Sequence, residues 1–280
     1  MRLSYRKKLF FYFLIVFAVF AAIVVFVQQN RERTFRNDEF KRGMDVYATL
    51  ISKYIAENHL TAPDSMSRLD SLLPLLPRFG LTLGVGEKTA RQLCREKGVD
   101  CTLMLTVFNL YTHPDYLPAV GQVAALPLED LLEYLLSSHR YYRQDRIPHI
   151  RQHLEQIVAP RPDAEARVML GFFDQYAHEV AQHLDYEENT VFPYIRSLSQ
   201  GRKSPQYDIS VFERNHTDIE EKLSDLSSIL IKYLTPSGDG SQENEILLDL
   251  YLLGEDIARH TLIEDKILVP LAGELEKQAQ

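Results

Sequence analysis

Four residues of this chain recur at a single offset. His139, His183, Glu187 and Pro193 return 77 residues later as His216, His260, Glu264 and Pro270. In each copy the two histidines are 44 residues apart, and the second stands four residues before a glutamate. An i, i+4 pair lies on one face of a helix about one turn apart, so each His–Glu pair can point at one place. The offset reads as an internal repeat of a helical hairpin, preserved at the residues whose chemistry is least usual for a core.

The surrounding pattern agrees. Runs rich in Leu, Glu, Arg, Ala and Gln at helical spacing predict helices over about 127–157, 163–198, 207–234 and 242–276. The segments APRPD, QGRKSPQ and TPSGDGS between them carry the Pro, Gly and Ser of inter-helix turns. Short connections make sequential helices antiparallel neighbours, so the expected fold is all-α: an up-down four-helix bundle over 127–277. A small helical domain over 66–112 and a linker over 113–126 precede it.

Two carboxylates converging in a core with four imidazoles are costly unless a cation sits between them. Two metal ions remove the conflict, each taking two imidazoles, with the carboxylates bridging. Imidazole and carboxylate donors without thiolate suit iron or manganese better than structural zinc. A lone HxxxE on an exposed helix is common and carries little. Two such pairs with two further histidines at one offset are hard to obtain by chance. Glu220, four residues after His216, stays open between an extra ligand and an acceptor bonded to a ligand.

Other polar residues carry bland readings. His153 lies about 21 Å along the helix from His139, so His149 and His153 read as a solvated pair beside a kink at Pro148. His178 faces away from His183, and His59 and His113 lie outside the bundle. Tyr142 and Tyr186 read as core residues. Gly84-Val85-Gly86 lacks the glycine spacing of a phosphate loop and reads as a helix-entry turn. The two cysteines, Cys94 and Cys101, fit neither a disulfide framework nor a CxxC clip, and read as reduced thiols. A net charge of -8 argues against nucleic acid as a partner.

The N-terminus differs. Residues 9–27 form an uncharged apolar run long enough for one transmembrane helix, preceded by a basic flank over 1–8 and followed by a helical stalk over 28–65. No small-residue cleavage site follows, which favours an uncleaved inner-membrane anchor over a signal peptide. Basic residues on both sides leave the orientation open.

The stretches Glu187-Glu-Asn-Thr-Val-Phe-Pro193, Glu213-Arg-Asn-His216 and His260-Thr-Leu-Ile-Glu264 resemble motifs of the haemerythrin-like family, specifically its di-iron proteins for repair of iron centres. The resemblance spans roughly 70–278, and its part from Phe79 to Asp100 is similar to the small N-terminal domain of those proteins. It implies two non-haem irons, oxo- or hydroxo-bridged, held by His139, His183, Glu187, His216, His260 and Glu264. It also implies damaged iron–sulfur proteins as partners, nitric oxide or oxygen as small ligands, and chemistry on nitric oxide. Self-association is left open. Oxygen carriers of this family have a second histidine one turn after the third-helix ligand and a bridging aspartate on the fourth helix. Glu220 and Glu264 stand there in this chain, against a plain oxygen carrier. Many repair proteins carry an adjacent cysteine pair where this chain has Leu83 and Gly84. The first 65 residues or so resemble the anchor of a bacterial sensor histidine kinase, with no kinase core following. Two readings therefore stand: a membrane-tethered di-iron protein, or a fusion joined near Leu72–Pro77 whose bundle is cytoplasmic. A membrane-bound sensor or carrier of oxygen or nitric oxide is the alternative to repair.

Overall fold

The computed structural model describes residues 70–81, 89–113, 116–160, 163–204, 207–213, 218–233 and 241–279. The expected transmembrane run 9–27 and stalk 28–65 lie outside the described residues, as do His216 and Gly84-Val85-Gly86. Among the described residues there is no strand, and no helix is long and apolar enough to cross a membrane.

Four rods make the bundle. The first comprises Leu128–Tyr141, a π turn at Tyr142–Arg146, and Ile147–Val158. The second is Asp163–Tyr186, a π turn at Glu187–Val191, and Phe192–Ser199. The third region holds Ile209–Glu213 and Asp218–Tyr233, and the fourth is Ser241–Ile263, a π turn at Glu264–Leu268, and Val269–Gln278. Each rod packs on the next and the fourth closes on the first. The first rod runs antiparallel to the second, since Arg143 meets Asp185 while Arg151 meets Asp174. It also runs antiparallel to the fourth, since Tyr142 meets Asp256 while His153 meets Asp249.

The π turns replace the simple kink expected at Pro148. In the three rods where the described residues hold a π turn, a proline stands six residues after its first residue: Pro148, Pro193 and Pro270. Proline offers no N–H to the carbonyl four residues back, and its ring crowds that carbonyl. An extra residue in the preceding turn relieves the clash. The bonds become i to i−5: Ile147 N–H donates to the Tyr142 carbonyl, Phe192 N–H to Glu187 and Val269 N–H to Glu264.

One half of the bundle is filled with apolar side chains. Phe173, Leu154, Leu230, Ile246 and Leu250 are at most 1% exposed and belong to one contiguous cluster with Tyr142 at its edge. Burying each such side chain contributes about 1.5–3 kcal/mol. Gly254 allows the third and fourth rods to approach closely, because a Cβ there would stand 3.2 Å from Leu223 Cδ2. The second rod ends at Gly201, whose φ of 74° suits glycine and lets Arg202 N–H cap the Ser197 carbonyl at 2.9 Å.

The described residues within 71–82 and 91–280 form one compact unit. The helices Ala90–Lys97 and Cys101–Thr112 precede the bundle, the second packing on Ser241–Ile263. Within the span read as a linker, Val120–Ala124 is helical, and Val123 and Leu126 are buried. Arg78 is 4% exposed and reaches into the unit to a bidentate pair with Asp256. Tyr111 donates to the same carboxylate at 2.7 Å, and Arg78 lies 4.4 Å from the centre of the Tyr141 ring. Burial opposes the Arg78 charge, but Asp256 more than restores it, so its pKa stands above the ordinary value. Neither Cys94 nor Cys101 forms a disulfide. The Cys94 thiol, hydrogen-bonded with Cys101 and buried, is pushed well above the usual thiol range.

Candidate metal centre

Each of the two i, i+4 pairs faces inward, as the spacing requires. His183 Nε2 lies 2.7 Å from Glu187 Oε1 on the second rod, and His260 Nε2 lies 3.2 Å from Glu264 Oε1 on the fourth. In both rods the glutamate is the first residue of the π turn. The first rod supplies His139, three residues before its own π turn, with Nε2 3.1 Å from Glu187 Oε2. Glu187 therefore spans two imidazoles, one on its own rod and one on the neighbour.

His139, Glu187, His260 and Glu264 can each offer one donor atom such that all four lie within 4.8 Å of one another. Their side chains are at most 4% exposed, and both carboxylates are fully buried. The rings of His139 and His260 stand 5.2 Å apart, and Phe192 stacks on His139 from behind at 5.5 Å. Of the six residues expected as ligands, the structure brings these four together with His183 at the edge, its side chain 16% exposed. His216 lies outside the described residues, and the helix Asp218–Tyr233 carries Glu220 in its first turn.

Glu188 is the functional neighbour that spacing did not single out. It lies immediately after Glu187, and its Oε1 takes a bond from His139 Nδ1 at 2.9 Å. In a regular helix adjacent residues diverge by about 100° and do not serve one site. Here Glu187 meets His139 Nε2 and Glu188 meets His139 Nδ1, so two successive carboxylates hold both edges of one ring. A carboxylate on the far nitrogen fixes the ring and its tautomer and raises its basicity as a donor. Arg143, 3.7 Å from Glu188, completes this outer chain. The only signal in the sequence was the doubled glutamate itself.

The electrostatics show what this pocket asks for. Burial by itself lowers the His139 pKa. Hydrogen bonds to Glu187 and Glu188, and the charges of Glu187 and Glu264, more than reverse this and push it up to about 9. Glu188 is correspondingly held below the usual carboxylate range by its bond to His139. A pocket that retains a proton on a buried imidazole is one that prefers a positive charge. His260 adds a second sign, since among the described residues neither of its buried ring nitrogens makes a hydrogen bond of acceptable geometry. Nitrogen and carboxylate oxygen donors, without sulfur, fit a cation such as iron or manganese.

His260 also touches the Arg78–Asp256 cluster, because the Tyr142 ring meets it edge-on at 5.6 Å. Tyr142 is 1% exposed and donates to the Asp256 carbonyl at 3.3 Å, with burial holding its phenol well above the ordinary pKa. Tyr186 turns elsewhere and shares a 2.8 Å hydrogen bond with Tyr207.

The profile of the Hemerythrin HHE cation binding domain matches residues 130–272, just over half of the chain. No curated protein matches it.

Proposed function

Because the chain belongs to the hemerythrin HHE cation-binding family, we propose that it holds a non-haem di-iron centre and serves the repair of iron–sulfur clusters damaged by nitric oxide or oxidants. The observation that carries the reading is the convergence of two fully buried glutamates and two imidazoles within 4.8 Å. His139, His183, Glu187, His260 and Glu264 would hold the metal, joined by His216. When bound, such a centre supplies redox-active iron with room for a small diatomic ligand.

The rest is done by side chains of the chain. Glu188 keeps His139 in one tautomer with Nε2 aimed inward. Phe192 and Tyr142 wall off the His139 and His260 rings from water, which strengthens every charge interaction inside. The glutamate in place of the aspartate of oxygen carriers, and Glu220 in place of their second histidine, support iron handling over reversible oxygen carriage. In this reading the protein donates or exchanges iron, and the loaded centre would reduce nitric oxide only with electrons from an external reductant.

The test uses the full chain. Iron and zinc are counted per chain, and the iron-loaded protein is then incubated with an iron–sulfur enzyme inactivated by nitric oxide. About two irons per chain, by analogy with carboxylate-bridged bundles, and recovery of the enzyme are expected. A folded protein that takes up no iron defeats the centre. Two irons with reversible oxygen binding and no recovery defeats repair and favours a sensor or carrier, the role that an anchor at 9–27 would suit.

A further inference from the structure

A second cluster of donors lies at the opposite half of the bundle, in the pair that spacing alone left as solvated histidines. His153 Nδ1 is 3.0 Å from Asp249 Oδ2, and His149 Nε2 is 3.9 Å from the same oxygen. The two histidines are i, i+4 on the first rod, and Glu245 and Asp249 are i, i+4 on the fourth. All four line one surface depression together with Gln152 and Gln156. Arg146 binds the other carboxylate oxygen of Asp249 at 3.0 Å and also its backbone carbonyl. That fixes the carboxylate with Oδ2 turned toward the histidines. His149 is 63% exposed, whereas His153 and Asp249 are below 20% and set in place.

We propose that His149, His153, Asp249 and Glu245 form a second cation site for a zinc-like divalent ion, separate from the buried centre. Two imidazoles one turn apart, with a carboxylate from the adjacent antiparallel rod, present three donors on one side of an ion. The two glutamate and aspartate charges against one arginine leave the depression net negative when the imidazoles are neutral. His153 lies about 21 Å along the rod from His139, so the two sites do not share a donor. The donors are borderline nitrogen and hard oxygen, which suits zinc, nickel or cobalt(II) more than magnesium.

The full chain, already loaded with iron, is titrated with zinc, and both metals are counted after gel filtration. One extra zinc per chain with iron unchanged is expected. The His149→Ala/His153→Ala double variant, with the same iron content and melting temperature, should lose that zinc. Asp249→Asn keeps the shape and most of the Arg146 contact, and should weaken zinc by about tenfold or more, since removal of even an outer partner costs 10–100-fold. Cobalt(II) absorption, present in the wild type and absent from the double variant, checks the site if either variant folds poorly. Equal zinc in wild type and double variant, or zinc gained only as iron is lost, overturns the proposal.

Discussion

The two halves of the bundle use the same rods for opposite purposes. Around Phe173, Leu230 and Ile246 the helices are regular and the interior is apolar. Around His139, Glu187, His260 and Glu264 three rods widen into π turns and the interior is polar and charged. The first half stabilises the fold with side chains that need only to pack. The second spends stability, because buried carboxylates and imidazoles are costly until a cation joins them. The contrast teaches that the site is tolerated by its neighbour: the apolar half holds the rods in register, so the polar half is preorganised.

Removing apolar volume should test that division most strongly. Phe173→Ala is expected to destabilise by about 3–5 kcal/mol in chemical denaturation, while metal per folded chain stays constant. A parallel loss of metal would show that the halves are not separable. Arg78→Ala should follow at about 3 kcal/mol, since it leaves Asp256 without its buried partner. Its signature would be a changed spectrum of the loaded centre, transmitted through Tyr142 to His260.

A smaller effect has a sign that only the polar half can give. Glu264→Gln should raise the melting temperature of metal-free protein by removing a buried charge. In the presence of iron the same change should lower it, because a hundredfold excess over Kd stabilises the wild type by about 2.7 kcal/mol and the variant by less. Equal shifts in both conditions would mean that Glu264 meets no metal.

In metal-free protein His139 is protonated more readily folded than unfolded, up to about 9 against 6.5. A raised folded pKa gives stability that is complete below about pH 6.5 and lost as pH rises through about 9. Melts with chelator should therefore decline across that window, and melts with iron should stay flat. The weakest effect belongs to Pro193→Ala, which restores an N–H to the backbone and allows a regular turn. Stability should move by no more than about 1 kcal/mol, yet iron affinity should fall if the π turn aims Glu187 and Glu188.

Much of this was legible from spacing. The 77-residue offset named both His–Glu pairs, because residues four apart must share a helical face whatever the fold around them. The rods were legible too, within one or two residues at most ends, since their apolar periodicity is local. Glu188 was not, because its bond to His139 joins residues 49 apart on different rods. Neither was the pairing of Arg78 with Asp256, 178 residues apart. The prolines were visible, but sequence gives no rule for choosing between a kink and a widened turn.

Spacing alone therefore picked out His139, His183, Glu187, His260 and Glu264 as able to carry the chemistry, and all five lie on helices. Tertiary structure decided how those helices are rotated against one another, and so which nitrogen of His139 meets which carboxylate, and that His149 and His153 face Asp249. The physical reason is that helical periodicity is set by local backbone hydrogen bonds, whereas rotation and register between rods depend on packing summed over the whole core.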